Sequence, residues 1–228
     1  MRLLFVSFLT LILSLPAQAD EVGGRISVTG QGHVDMTPDM ATISLGVASQ
    51  ARTAAEALST NSKAIAAVLA KVSGAGIAAR DVQTSGLSLS PVWSNRSNSN
   101  TRPSVIGFVA RNQVTVRVRA LASLGDVLDQ VVKSGANEFN GLTFGLQDPQ
   151  PTRDGALKNA VADALRKATL LADAAGVTLG PLIDLNENVG GSPQPMVVRE
   201  MATMQALPIA QGEVSTRATV SMVFGITE

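Results

Sequence analysis

Two hydrophobic periodicities alternate along the chain, and their order constrains the fold more than any other feature. Ile43, Leu45 and Val47 alternate with small polar residues, as half-buried strand residues do. The clearest strand has Val114, Val116 and Val118 alternating with polar residues, and others are expected at 26–28, 82–93, 139–146, 182–189 and 214–226. Strands with one polar face predict an antiparallel sheet that is covered on its other side.

Three segments have helical spacing instead, at about 53–73, 121–134 and 152–175. Thr53 and Glu56 have the spacing of a capping box at the start of the first. The apolar face predicted for the third consists of Leu157, Val161, Ala164, Ala168, Leu171 and Ala175. Its many alanines imply a close approach to the surface that it covers.

From residue 41 to residue 147 the predicted order is strand, helix, strand, strand, helix, strand, which is the split βαβ order of ferredoxin-like folds. We therefore predict an α+β fold, mostly antiparallel sheet with about three helices packed on one side. The third helix and the later strands are expected to extend that sheet. Gly86 is expected at a bulge, and 94–104 and 190–212 are expected to be long loops.

The N-terminus has the pattern of a cleavable secretory signal. Arg2 precedes an apolar run that ends before Ala17-Gln18-Ala19, the small-x-small pattern cut by signal peptidase. The run is too short to span a membrane, and no cysteine follows it that could carry a lipid anchor. We expect residues 1–19 to be removed and residues 20–228 to form a single exported domain.

Composition excludes several classes of function. The mature chain would carry 17 basic and 18 acidic residues without a basic cluster, which argues against nucleic-acid binding and a polybasic membrane-surface segment. The absence of cysteine excludes thiol chemistry and thiolate metal sites, and His33 is the only histidine. With aromatic residues at 3%, the core must consist mainly of Ala, Val, Leu and Ile.

Two short motifs could carry chemistry but favour simpler interpretations. Gly30-Gln31-Gly32 begins like a dinucleotide fingerprint, yet Asp35 stands where a third glycine is needed and no helix follows. A glycine turn between short strands is the better prediction. His33 lies near Asp35 and Asp39, but one histidine with scattered carboxylates supplies a metal site poorly. We predict a surface histidine, no catalytic residue, no metal and no cofactor.

Two other groups are candidates for binding. Arg111, Arg117 and Arg119 share a strand face and could bind an anionic ligand, although positive residues also protect sheets against aggregation. The predicted loop 190–212 contains more apolar side chains than a free loop should expose, and we expect it to form an interface. The interface residues predicted there are Met196, Val198, Met201, Met204 and Leu207.

Several co-linear blocks resemble SIMPL-domain proteins, in particular their periplasmic, outer-membrane-antigen branch. These blocks are Ile26-Ser-Val-Thr-Gly-Gln-Gly32, Ala41-Thr-Ile-Ser-Leu-Gly-Val47, Gly107-Phe-Val-Ala-Arg-Asn-Gln-Val-Thr-Val-Arg-Val-Arg119, Leu124-Gly-Asp-Val-Leu128, Ser134-Gly-Ala-Asn137, Thr143-Phe-Gly-Leu146, Ala174-Ala-Gly-Val177 and 208–220. The resemblance implies a periplasmic or envelope-associated α+β domain, linked to envelope or oxidative-stress defence. It supplies no catalytic residues.

The leading hypothesis is a non-enzymatic periplasmic protein that acts by self-association, as a homo-oligomer, or by binding an envelope component. Contact with the outer membrane is left open. The alternative hypothesis is a methionine-centred oxidant sink or copper-handling protein, because thioethers bind Cu(I) and oxidise reversibly. Met196, Met201 and Met204 would be its functional residues.

Overall fold

The computed structural model describes residues 23–94, 103–188, 194–196 and 210–227. In order, these form β1 (Arg25–Met36), β2 (Met40–Ala51), α1 (Ala54–Gly74), β3 (Val82–Trp93), β4 (Val105–Val118), α2 (Leu124–Lys133), β5 (Glu138–Gly145), α3 (Gln150–Ala175), β6 (Thr178–Asn188), β7 (Gln194–Met196) and β8 (Glu213–Thr227). The predicted α+β class is confirmed. No helix of the described part is long and apolar enough to cross a membrane.

The central segment folds as its strand and helix order predicts. β3, β4, β2 and β5 lie side by side in that order as an antiparallel sheet, which is the ferredoxin-like arrangement. Helices α1 and α2 cover one face, and Thr53 caps α1 by accepting a hydrogen bond from the Glu56 amide. The core between them is mainly aliphatic and is built on Ile43, Leu45, Val47, Val68, Val72, Val114, Val116, Val118, Val127 and Val131.

The remaining strands form a second sheet instead of extending the first. β1 pairs with β8 along its whole length, from Arg25 opposite Gly225 to Met36 opposite Val214. β8 also pairs with β6 and with the short β7. Helix α3 covers this sheet, whereas α1 and α2 cover the other. Period-two alternation shows which residues of a strand are buried but not which strand is its neighbour, so the sequence could not predict this division.

The Gly30-Gln31-Gly32 motif lies inside β1, so the predicted glycine turn is wrong. Both glycines lie directly beneath α3. A Cβ at Gly30 would overlap the carbonyl oxygen of Ala160, and one at Gly32 would overlap that of Ala156. These positions need glycine because the helix backbone lies against the strand backbone, one of the uses of glycine within a strand.

The buried face of α3 differs from the predicted one. It is a stripe of alanines at four-residue spacing, namely Ala156, Ala160, Ala164, Ala168 and Ala172. Leu171, which the helical spacing predicts on that face, is 49% exposed, whereas the prediction is correct for Ala164 and Ala168. Because α3 approaches β1 closely, only small side chains fit between them. A prediction that places the largest apolar residues on the buried face is therefore wrong for Leu171. The close approach expected from the alanine content is nevertheless present.

Side chains of α3 also bond to the free edge of β1. The Asn159 amide donates to the carbonyl of His33 at 3.0 Å, and the Lys167 ammonium donates to that of Thr29 at 2.9 Å. Between them, the backbone N–H of Gln31 donates to a carboxylate oxygen of Asp163 at 3.0 Å. We call Asn159, Asp163 and Lys167 the capping ladder.

The rise per residue of a helix and of a strand explains why three residues of α3 at four-residue spacing can bond to every second residue of β1. Four helical residues rise about 6.0 Å, and two strand residues span about 6.7 Å, so an antiparallel helix stays nearly in step with the strand. Asp163 is the centre of the ladder, since it also binds Lys167 at 2.7 Å and Arg166 at 2.6 Å. The edge of β1 is thereby closed to pairing with another strand.

Asp163 predicts a pH-dependent stability. The hydrogen bond from Lys167, followed by those from the Gln31 amide and Arg166, holds the pKa of this carboxyl far below its usual value. A depressed folded-state pKa stabilises the fold above the unfolded pKa of about 3.9, and this stabilisation is lost as pH falls below it. We expect Asp163→Asn to lower the free energy of unfolding at pH 7, and the deficit to shrink on acidification to pH 3.

Urea unfolding at pH 7, 5 and 3 would measure this difference. Asp173→Asn is the matched control, because Asp173 is exposed on the same helix and forms no salt bridge within the described residues. A deficit for Asp163→Asn that is the same at all three pH values would contradict the role assigned to its charge.

Candidate functional site

Two arginines of the predicted stripe, Arg111 and Arg119, form salt bridges, whereas Arg117 forms none within the described residues. Arg111 and Arg117 lie on the solvent-facing side of β4, opposite Ala48 and Thr42 of β2. Arg111 donates from Nε to Glu138 of β5 at 3.0 Å. Its charge is thus neutralised by a carboxylate two strands away, which leaves it less available to an external anion.

Arg119 follows the end of β4 and belongs to a structural network. Its guanidinium holds both oxygens of Asp81, at 2.7 and 2.8 Å, while the Asp81 side chain is only 4% exposed. These hydrogen bonds keep the pKa of Asp81 below its usual value and raise the pKa of Arg119, against the opposing effect of desolvation. The two-pronged geometry is typical of strong arginine–carboxylate pairs.

The same network joins three parts of the chain. The side-chain amide of Gln147 donates to the carbonyls of Asp39 and Arg119, at 3.0 and 3.3 Å. The Gln147 backbone amide donates to the carboxylate of Asp39 at 2.7 Å. The β1–β2 turn, the end of β4 and the segment leading into α3 are therefore tied together, and Arg119 is a positioning residue in this junction.

Arg117 differs from the other two arginines because no described carboxylate pairs with it. It is exposed and forms no salt bridge with any residue that the structure describes. Its charge contributes to lowering the pKa of Asp81, whose oxygens are held by Arg119. Of the three arginines predicted to bind a ligand, Arg117 therefore has the charge most available to one.

His33 lies on the exposed side of β1, opposite Arg217 of β8, and its carbonyl accepts the bond from Asn159. Asp35 is two residues further along the strand, whereas Asp39 belongs to the junction with Gln147. Within the described ranges, no group of three or more metal-ligating side chains lies close enough together to hold an ion.

Of the predicted interface residues, Met196 ends β7, whose backbone pairs with β8 through Glu213. Val198, Met201, Met204 and Leu207 lie outside the described residues. The three-methionine alternative therefore has no described geometry, and the interface assignment of this loop stays a prediction.

A different apolar surface is present where β3 and β4 extend beyond α1. We call it the β3–β4 tip and define it by five exposed residues, namely Leu87, Leu89, Trp93, Val105 and Ile106. Leu87 is 65% exposed, Ile106 57% and Trp93 55%. Exposed apolar side chains clustered in this way mark interaction surfaces.

The edge of the sheet at this tip lacks the protection that β1 has. Among the described residues, no side chain donates to or accepts from the free edge of β3, and no charged residue occurs in 82–94 or in 103–110. Natural edge strands usually carry charges, above all lysine, that prevent pairing with another chain. An uncharged edge is suited to pairing, except at Pro91, which has no N–H, and at the bulge beside Gly86.

The sequence contained a signal for this surface. Alternation identified 82–93 as a strand, and the bulge expected at Gly86 is present between Thr84 and Gly86. The lack of charge over 82–94 and 103–110, the parts of both strands next to the tip, was the additional signal. It did not indicate that β3 would be an edge strand, since that depends on how the sheet is ordered.

Comparisons with known proteins agree with this fold. The model of the SIMPL family, described as a protein of unknown function (DUF541), matches residues 26–224. A 26 kDa periplasmic immunogenic protein of Brucella melitensis is 39% identical over 242 residues, covering 98% of this chain and 96% of the relative. The protein YggE of Escherichia coli K12 is 29% identical over 212 residues, covering 92% of this chain and 84% of the relative.

Proposed function

Because the chain belongs to the SIMPL family, we propose that it is a non-enzymatic protein of the cell envelope that acts by self-association through the β3–β4 tip. Its periplasmic location is supported by the name of the Brucella relative, which covers nearly the whole chain. The N-terminal signal pattern also supports export, although residues 1–19 lie outside the described part. We propose that the protein contributes to defence of the envelope or to defence against oxidative stress.

The observation that carries the proposal is the uncharged free edge of β3 next to exposed Leu87 and Trp93. Two antiparallel β3 edges related by a twofold axis would continue the sheet across two copies and cover these side chains. Backbone groups unpaired at the edge would gain partners, apart from Pro91, which has no N–H, and apolar surface would leave water.

A second copy of the chain fits this surface better than a lipid surface does. Attraction to anionic lipid headgroups needs clustered Lys or Arg, and the sequence of the hairpin from 82 to 110 contains only Arg96 and Arg102. The mature chain is also close to neutral, so long-range repulsion between copies would be weak. An envelope component remains the alternative occupant, to be distinguished by measuring oligomeric state.

The test compares the exported protein with the double variant Leu87→Lys/Trp93→Lys. Light scattering or analytical ultracentrifugation of the wild type should show a mass above that of the monomer. Two lysines on the tip should raise the dissociation constant at least about 100-fold, because each desolvated charge costs roughly 2 kcal/mol at the centre of an interface.

The matched control is Val132→Lys/Leu170→Lys. These side chains are 63% and 59% exposed, which is similar to the tip, but they lie on α2 and α3. The control should associate like the wild type. A monomeric wild type, or equal dissociation of the two double variants, would exclude self-association through the tip.

A further inference from the structure

A cavity of about 410 Å³ lies where the ferredoxin-like sheet meets the start of α3. It is lined by Thr42, Thr143, Phe144, Gly145, Leu146, Pro149 and Arg153. Its size falls within the range of small-molecule sites. It is separate from the β3–β4 tip, so an inference about it is independent of self-association.

Thr42, which lines the cavity, is the cross-strand neighbour of Arg117, the stripe arginine that has no salt bridge within the described residues. Thr42 of β2 stands opposite Thr143 of β5 on one side and opposite Arg117 of β4 on the other. Residues directly opposite across an antiparallel pair have neighbouring side chains on one face of the sheet. Two hydroxyl groups and a guanidinium therefore form one row at the side of the cavity.

A second arginine lines the cavity from the helix. Arg153, in the first turn of α3, forms no salt bridge with any described residue, and the same is true of Arg117. The carboxylates closest in the chain to residues of the cavity lining accept hydrogen bonds from neutral amides and form no salt bridge with either arginine among the described residues. Asp148 accepts from the Gln150 backbone amide, Asp154 from the Gln150 side chain and Asp39 from the Gln147 backbone amide. Neither guanidinium is paired with a carboxylate among the described residues, so both keep hydrogen-bond donors for an anion.

The rest of the lining is apolar. Leu146 and Pro149, which follow β5, are apolar residues beside the charged and hydroxyl groups, whereas the Phe144 side chain packs against the helix-covered core on the other face of β5. A lining of mostly apolar residues with a few convergent polar groups is typical of sites for small organic molecules. Arginine recognises carboxylate and phosphate through paired hydrogen bonds.

We propose that this cavity binds a small organic anion. Arg117 and Arg153 hold its phosphate or carboxylate group, Thr42 and Thr143 donate further hydrogen bonds, and its apolar part lies against Leu146 and Pro149. The ligand class is an organic phosphate or carboxylate, either a soluble molecule or the headgroup of a lipid.

The test titrates the protein with phenyl phosphate, inorganic phosphate and benzyl alcohol, followed by calorimetry and by NMR of the backbone amides. Phenyl phosphate should bind more tightly than either partial analogue and should shift the amides of Thr42, Thr143 and Arg153. Arg117→Gln and Arg153→Gln should each raise its dissociation constant about tenfold, the effect of losing one charged hydrogen bond. Added salt should weaken binding.

Lys158→Gln is the matched control, because it removes one positive charge from an exposed position of α3 outside the cavity lining. It should leave the dissociation constant unchanged. Vesicles containing phosphatidylglycerol identify the source: competition with phenyl phosphate indicates a lipid headgroup, and lack of competition indicates a soluble anion. Absence of phenyl phosphate binding up to about 10 mM, or equal binding by benzyl alcohol, would overturn the proposal.

Discussion

Gly30→Ala should lower the free energy of unfolding by about 3 kcal/mol or more, because one added methyl group would separate α3 from β1. The new Cβ would overlap the Ala160 carbonyl and lie 2.7 Å from the backbone nitrogen and the Cβ of Ala164. All of these atoms belong to or adjoin the helix backbone, so no side-chain rotation relieves the overlap. Moving the helix away would break the capping ladder.

Chemical denaturation monitored by circular dichroism would measure this loss. Gly125→Ala is the matched control, because Gly125 lies in α2 and a methyl group added there would meet no atom within 4 Å. There the same substitution should raise stability by about 0.5 kcal/mol, since alanine loses less backbone entropy on folding. A stable Gly30→Ala variant would mean that α3 does not pack as closely on β1 as described.

Asn61→Ala should produce the second large effect, a loss of about 3 kcal/mol in the free energy of unfolding. Asn61 is 1% exposed, and its side-chain amide donates to the carbonyls of Val47 and Ala110, at 2.7 and 3.0 Å. It thereby joins α1 to both β2 and β4. Removing the donor costs two hydrogen bonds and leaves buried carbonyls short of a partner, at roughly 1–3 kcal/mol each when they are unsatisfied.

Asn61→Asp distinguishes the loss of the donor from the loss of volume. An ionised aspartate has a similar shape but can only accept hydrogen bonds, so it would face the two carbonyls with like partial charge. At pH 7 we expect it to be at least as destabilising as alanine. Ser62→Ala, at an exposed position of the same helix, should change stability by less than about 0.5 kcal/mol. An Asn61→Asp variant as stable as the wild type would disprove the donor role.

The candidate binding surfaces were only partly predictable from the sequence. The arginines of the stripe could be identified, but Arg111 is neutralised by Glu138 and Arg119 by Asp81, both of which lie on other elements. The cavity beside Arg117 needs the start of α3, which lies more than thirty residues further along the chain. Charge on a strand is a local property, whereas its availability depends on partners that only the fold brings near.

The sequence by itself determined the helices, most strands, the α+β class and the split βαβ order, because each depends on the burial periodicity and capping of a single segment. Tertiary structure alone decided that β1 pairs with β8, that β3 lies at the edge of the sheet formed by the described strands and that α3 turns its alanines towards Gly30 and Gly32. These depend on contacts between segments distant in sequence. Backbone distance and neighbour identity set such contacts, and neither is encoded in the periodicity of one segment.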